Sequence, residues 1–180
     1  YFNPVIIGAA WSLATAKQPA RVIGDAHYEV AAHLGREKLA DMAGLNEFTA
    51  AMEKVFNAAD PDGLALFAAF KSMPLAEDTP ARAMQLAASL REFRGSAHLI
   101  AIRAVGLTSK QAHYVKRPND VKGFGWGEDD APVVDDQVRA LMVQAENLTD
   151  ALCIPAYSVL NEAERKALVD GTKAFEAALK

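Results

Sequence analysis

The sequence has little of what marks secreted or membrane proteins. It contains a single cysteine, Cys153, so it cannot form an internal disulfide. Its apolar runs are short and interrupted, and none approaches the roughly 20 residues that a membrane-spanning helix requires. No basic region followed by an apolar stretch marks a secretion signal. These absences predict a protein of the reducing cytoplasm that does not bind membranes.

Excess positive charge and the common metal and nucleotide motifs are also missing. The net charge is −4 and the pI is about 5.6, so the chain as a whole does not attract phosphate backbones. His27 and His33 fall on opposite sides of a helix, unlike the i, i+4 pair of a helical metal site. Gly123, Gly125 and Gly127 lack the preceding strand of a nucleotide loop. We therefore expect no metal ion, no cofactor and no catalytic residue of these known types.

Helical periodicity dominates what remains. The chain has 180 residues, of which 51% are hydrophobic and 23% charged, as in globular proteins. Apolar residues recur three or four apart, and strand-like alternation is missing. We predict an all-α, multi-helix bundle in a single domain, residues 1–180, with a possible subdivision into 1–74 and 75–180.

Capping residues and prolines predict where the helices lie. Asn3, Asn46, Thr79, Ser109 and Asn161 are read as helix starts. We expect Pro155 to break or kink the helix in which it falls. Residues 117–132 are predicted to form a loop. The predicted helices span residues 3–16, 19–44, 46–59, 64–73, 79–106, 109–117, 133–152 and 161–179. The segment 19–44 is one long helix or two helices joined near Gly35.

The helix predicted over residues 79–106 has the longest apolar stripe in the chain, so we expect it to be central. The stripe consists of Leu86, Leu90, Phe93, Ala97, Ile100, Ala101 and Ala104.

A purely packing role is predicted for Cys153, which has no basic neighbours in the sequence to activate its thiol.

Polar residues cluster in the middle of this helix. At 100° per residue, Arg91, Arg94 and His98 fall within about 60° of one another. Two guanidinium groups and an imidazole suit a small anionic or aromatic ligand. Gly95 costs about 1 kcal/mol of helix stability relative to alanine, which indicates a close approach to the backbone. The predicted ligand-binding residues are Arg91, Glu92, Arg94, Gly95 and His98, with Trp126 closing over them.

A purely structural interpretation of the same cluster stays open. In it, Arg91 and Arg94 pair with acidic residues of a neighbouring helix, and His98 is an ordinary half-buried histidine. Gly95 then only allows two helices to cross. The sequence does not distinguish these interpretations, because the direction of each side chain depends on neighbours that are distant in the chain.

A second cluster is basic and lies just after the central helix. It consists of Lys110, Lys116, Arg117 and Lys122, together with His113 and the aromatic Tyr114. These residues are candidates for contacts with DNA phosphates. A solvated helix and loop explains them equally well.

The order of several motifs resembles that of a known family. The segment Leu90-Arg-Glu-Phe-Arg-Gly-Ser-Ala-His98 is followed by Ala104-Val-Gly-Leu107 and then by Gly125-Trp-Gly-Glu-Asp-Asp130. This order is similar to that of the actinobacterial SalK-type helix-turn-helix family, whose pattern reads LREHRGDGH, AxGL and GWTEEE. Tyr1-Phe-Asn-Pro4 and Leu75-Ala-Glu-Asp-Thr-Pro-Ala-Arg82 also resemble family segments.

The resemblance implies an α-helical protein with a winged-helix element of roughly MarR-like character. Arg91, Glu92, Arg94, Gly95 and His98 match the family motif, whereas the family's histidine is replaced by phenylalanine at position 93. Family members carry a helix and a β-wing after GWTEEE. Here two residues, 131 and 132, separate the motif from the next predicted helix, so the wing is short or missing, or a piece of the sequence is absent there.

Three functions are compatible with these observations. The first is a non-enzymatic, small-molecule-binding protein of regulator-like type. The second is a DNA-binding transcriptional regulator, expected as a homodimer because related winged-helix regulators dimerise. The third is an accessory enzyme of secondary metabolism in which His98 or Glu92 acts as acid or base.

Overall fold

The computed structural model describes residues 19–120, 125, 126, 129 and 131–180. Within them the protein is all-α with no strand, which confirms the predicted fold class. The predicted helix over residues 3–16 lies outside the described residues. The described helices are α1 (Ala20–Lys38), α2 (Leu45–Ala58), α3 (Ala65–Lys71), α4 (Thr79–Ala104), α5 (Ser109–Lys116), α6 (Asp136–Tyr157) and α7 (Glu162–Ala178).

Contacts divide the chain into two compact units. The first contains Ala97–Ala151 and, of the described N-terminal residues, those up to Ile23. The second contains Gly24–Ser96 and Leu152–Lys180. Helices α1, α4 and α6 contribute residues to both units. The predicted single domain, with its possible boundary at residues 74 and 75, stays a prediction.

Aromatic rings form much of the core of the second unit. Phe67 is fully buried. Its ring centroid lies 6.0 Å from that of Phe56 and 5.0 Å from that of Phe93, so it connects α2, α3 and α4. Phe48 of α2 contacts Phe175 of α7 at 5.9 Å. Burial of rings at these distances is worth more than their area alone, so these contacts are a main source of stability for the unit.

Most of the predicted apolar stripe of α4 is buried. Leu86, Leu90, Phe93, Ala97 and Ala101 are at most 8% exposed. The prediction is wrong for the other two stripe residues, Ile100 and Ala104, which are exposed. In the first unit, α4 turns its Ala101 and Ile102 side to the core instead.

Several helix ends differ from the predicted ones. Asn46 lies inside α2, whose N-cap is Gly44 in the left-handed region (φ 71°). Thr79 lies inside α4, and the carboxylate of Asp78 accepts the backbone N–H of Ala81 at 3.4 Å. In both cases the cap lies one or two residues before the expected position. Only the backbone conformation, which is not visible in the sequence, distinguishes such neighbours.

Helix α6 differs from its prediction at both ends. It begins at Asp136, after Asp135 accepts the backbone N–H of Val138 at 2.8 Å. It continues through Pro155 to Tyr157. Proline removes one intrahelical hydrogen bond. The carbonyl that loses its partner belongs to Ala151, an exposed residue, so water can satisfy it. The capping box predicted from Asn161 and Glu164 at the start of α7 is confirmed.

None of the helices within residues 19–120 and 131–180 combines the length and hydropathy that a membrane span requires.

Two glycines mark close approaches between helices of the second unit. A Cβ atom at Gly35 of α1 would overlap the carbonyl oxygen of Pro80 and come within 2.9 Å of Cβ of Met84, both in α4. A Cβ atom at Gly171 of α7 would overlap the ring of Phe48. At Gly95, where the sequence predicts a close approach, an added Cβ atom would have no described atom within 4 Å apart from its chain neighbours and the nearby backbone of α4. The close-approach glycines are therefore Gly35 and Gly171.

Replacing Gly35 with alanine should destabilise the protein. The added methyl group meets backbone atoms of α4, which cannot move aside as a side chain can. We expect Gly35→Ala to lower the free energy of unfolding by about 1–3 kcal/mol. Gly95→Ala is the matched control and should raise it by up to about 1 kcal/mol through helix propensity. Urea denaturation of both variants measures the difference, and equal effects would contradict this packing.

Candidate functional site

A helix-turn-helix is formed by residues 97–116 of the first unit. Helix α4 ends at Ala104 and α5 begins at Ser109. At the end of α4, Gly106 has φ 85°. Gly106 donates its N–H to the carbonyl of Arg103 at 3.2 Å, and Leu107 donates to that of Ile102 at 3.0 Å. This pair of bonds is a Schellman motif, which ends a helix and reverses the chain direction with a glycine in the left-handed region.

A capping box starts the second helix of this element immediately afterwards. The side chain of Thr108 accepts the backbone N–H of Gln111 at 3.1 Å. The side chain of Gln111 accepts the backbone N–H of Thr108 at 3.1 Å. The expected cap Ser109 is therefore the first residue of α5, and Thr108 is the N-cap. Four residues, 105–108, end one helix and begin the next, as in helix-turn-helix motifs.

Small and apolar residues hold this element on α6. The cluster is apolar, with Ala101, Ile102 and Ala145 fully buried. Leu107 places the turn itself in the core at 1% exposure. Close packing of alanines lets the three helices approach one another, which fixes the direction of α5. The cluster consists of Ala101, Ile102, Leu107, Ala112, Val138, Met142 and Ala145.

Basic residues accumulate on this element. Between positions 97 and 117 the sequence has Arg103, Lys110, Lys116 and Arg117 and no acidic residue. Arg103, Lys116 and Arg117 are exposed. Lys116 pairs with Glu146 of α6 at 2.8 Å. The remaining predicted basic residue, Lys122, lies outside the described residues. A locally basic helix-turn-helix therefore occurs in a chain with net charge −4.

Helix α5 contains a buried histidine, and the ring of Trp126 contacts this helix. His113 is buried, and burial lowers its pKa below the ordinary value of 6.5. The charge of Asp120 raises this pKa and that of Arg117 lowers it, both by less than burial does. The ring of Trp126 contacts His113 at 5.5 Å between centroids. The imidazole therefore favours its neutral form inside the unit.

The residues predicted to bind a ligand are divided between the units. Arg91, Glu92, Arg94 and Gly95 belong to the second. The side chain of Arg91 is 82% exposed and donates to Glu92 at 3.0 Å, so it points into solvent. Arg94 is exposed, and its charge partly offsets the burial that raises the pKa of Tyr157.

His98 and Trp126 belong to the first unit. Nδ1 of His98 lies 2.8 Å from the hydroxyl of Thr149, which itself donates to the carbonyl of Ala145 at 2.7 Å. Since the threonine proton is used there, the Nδ1–H of His98 donates to Thr149. Trp126 contacts side chains of α5. A ligand-binding site formed by these residues with Arg91, Glu92, Arg94 and Gly95 stays a prediction.

The sequence itself contains signals for the helix-turn-helix. Gly106 follows the central helix directly, and Thr108 with Gln111 has the spacing of a capping box. Ala101, Leu107 and Ala112 are apolar residues spaced along the element on either side of Gly106. Together they mark a helix stop and a helix start four residues apart.

A family model described as a helix-turn-helix family matches residues 1–129, which is 129 of the 180 residues and includes all of α4 and α5. No curated protein and no solved structure matches the chain.

Removing the cap of α5 should destabilise the element. Thr108→Ala leaves the N–H of Gln111 without its side-chain acceptor, and we expect the free energy of unfolding to fall by about 1 kcal/mol. Thr172→Ala in α7 is the control, because its exposed hydroxyl bonds only the carbonyl of Leu168 within the helix. That change should be nearly neutral. Chemical denaturation compares the two, and an equal loss would argue against the capping role.

Stability should depend on pH through His113. A lowered folded-state pKa means that the unfolded chain binds more protons below pH 6.5. The contribution of His113 is therefore present above pH 6.5 and lost as the pH falls below it. His113→Gln should flatten the decline in unfolding free energy between about pH 6.5 and 5. A slope unaffected by His113→Gln would refute the assignment.

Proposed function

The chain belongs to the helix-turn-helix family, and from this premise we propose that it is a DNA-binding regulator whose residues 97–116 contact DNA. The observation that carries the proposal is the element itself. In DNA-binding proteins of this type, the second helix lies in the major groove while the first crosses the backbone. Here α5 takes the place of the second helix, and the end of α4 that of the first.

The charge distribution supports contacts with phosphates. Arg103 at the end of α4 and Lys116 and Arg117 at the end of α5 are exposed basic residues. Neutralising phosphates with such residues releases counterions, which gives most of the sequence-independent affinity for DNA. The ion pair of Lys116 with Glu146 is partly exposed, so exchanging it for a phosphate costs little.

The N-terminus of α5 supports the same orientation. Thr108 is exposed and Ser109 is half-buried there. Hydroxyl groups and backbone N–H groups at a helix start suit a phosphate oxygen, because the helix dipole favours negative charge at that end. Phosphate contacts of this kind position a protein on the duplex, and base contacts from the outer side of the helix then read the sequence.

Membership of the SalK-type branch, MarR-like character, homodimer formation and a small-molecule signal bound near Arg94 and His98 are further parts of this proposal. They derive from the motif resemblance and from the sequence cluster. The helix-turn-helix geometry supports the DNA contact without them. Each stays a prediction.

Charge removal at the end of α5 tests the proposal. We expect Lys116→Ala/Arg117→Ala to weaken binding to a random-sequence duplex and to make the slope of log K against log salt less steep by about 2, or about 1 per lost phosphate contact. Lys166→Ala/Lys173→Ala on α7 removes the same charge from exposed positions elsewhere. Fluorescence anisotropy of labelled DNA at several salt concentrations measures both. Equal slopes for the two double variants would refute α5 as the contacting helix.

A further inference from the structure

The ring of Trp126 covers one side of α5. Its centroid lies 6.1 Å from that of Tyr114, with the rings 24° from parallel, and 5.5 Å from that of His113 in an edge contact. The ammonium nitrogen of Lys110 lies 5.5 Å from the centroid of the same ring. Positions 110, 113 and 114 are neighbours on one side of a helix. The indole therefore contacts three consecutive positions of a single helical stripe.

This stripe includes the outward side of α5. Ala112 is 2% exposed and belongs to the core cluster with α6. At 100° per residue, Lys110 and Tyr114 each lie about 160° from Ala112 around the helix axis. Both are half-buried and lie opposite Ala112, on the side that a helix-turn-helix turns towards DNA, whereas His113 is buried. Trp126 therefore covers the part of α5 from which base contacts would be made.

A major groove does not have room for the covered helix. An α-helix with its side chains is about 10–12 Å across, and the groove of B-form DNA is about 12 Å wide. An indole stacked on the outward side adds a ring to the helix at the point where the bases lie. Lys110 is also oriented towards the ring face, where its charge is attracted to the indole and not to a phosphate or a base.

We propose that Trp126 is an autoinhibitory contact: with its indole on Lys110, His113 and Tyr114, α5 is held out of the major groove, and DNA binding requires the ring to leave. This inference rests on the proposed DNA-binding function. The protein then has two states. In the covered state the indole of Trp126 lies on α5, and in the open state it does not. Only the open state binds DNA through α5. The apparent affinity is then the intrinsic affinity reduced by the fraction of molecules that are open.

The size of the effect follows from the contacts. Two aromatic contacts and one cation–π contact at a half-buried site favour the covered state by about tenfold in total. Removing the ring makes the open state dominant without removing any charge from α5. The Kd for DNA should therefore fall by about the same factor.

The test measures DNA affinity of Trp126→Ala by anisotropy of a labelled random-sequence duplex at fixed, low salt. We expect binding about tenfold tighter than that of the unchanged protein. Phe70→Ala is the control, because Phe70 is a half-buried ring of the second unit that contacts His27 and Tyr28. It should leave the affinity unchanged. Unchanged or weaker binding by Trp126→Ala would overturn the inference.

A second measurement keeps Trp126 in place. In a Trp11→Phe background, Trp126 is the only tryptophan of the chain, because the sequence has two. Adding DNA should shift its fluorescence emission to longer wavelength as the ring leaves α5 for water. DNA binding without any change in emission would contradict the proposal, even if Trp126→Ala proved too unstable to assay.

The two proposals fail in different ways. If DNA binds with a salt slope that depends on Lys116 and Arg117 but Trp126→Ala does not tighten it, the inhibitory contact is refuted and the function stands. If no variant binds DNA in a salt-dependent manner, the function is refuted and the inhibitory contact with it. Tighter binding by Trp126→Ala together with the emission shift supports both.

Discussion

The burial of α4 along its length is the constraint on which the rest of the structure depends. In the second unit it buries Ala81, Ala83, Leu86 and Ser89 completely, and these positions point in different directions around the helix. A helix buried on more than one side cannot be amphipathic in the usual sense. It needs small residues where neighbours come close and paired polar atoms where polar groups are enclosed.

Both requirements are met by particular residues. The approach of α1 to α4 is possible because Gly35 has no Cβ where Pro80 passes. The enclosed hydroxyl of Ser89 donates to the carbonyl of Gln85 at 2.8 Å and accepts from the hydroxyl of Tyr28 at 3.1 Å. The side chain of Gln85 in turn accepts the backbone N–H of Ala76 at 2.7 Å. Buried polar groups in α4 therefore connect it to α1 and to the segment that precedes it.

Within the described residues, the sequence was sufficient to predict where helices occur, because the spacing of apolar residues is a local property. It was insufficient at their ends. Whether Gly44 or Asn46 caps α2 depends on backbone angles, and whether Pro155 ends α6 depends on whether the carbonyl it leaves unpaired reaches water. Gly95, for which a close approach was predicted, has space for a Cβ atom among the described residues, whereas Gly35 does not. Only tertiary packing distinguishes two glycines within helices.

The candidate site was harder to predict than the fold for the same reason. Arg91 and His98 have suitable chemistry for an anion, and an ideal helix places them on nearby sides. Their environments were not predictable, because His98 finds its hydrogen-bond partner at Thr149, which is 51 positions away in sequence. The turn between α4 and α5 needs no such distant information. Gly106, Thr108 and Gln111 form its helix stop and helix start within a few residues, whereas the packing of α5 on α6 depends on residues distant in the chain.

The electrostatics of the chain also support a local DNA contact. A net charge of −4 opposes association with DNA at long range, whereas the segment from 97 to 117 has four basic residues and no acidic one. At physiological ionic strength the Debye length is about 8 Å, so the charges of distant residues are largely screened once the basic element touches the duplex. In the proposed complex, the acidic remainder would lower the rate of non-specific capture more than it weakens the docked state. If α5 makes the proposed contacts, the affinity depends on few phosphates, so a single ring on α5 would change it measurably.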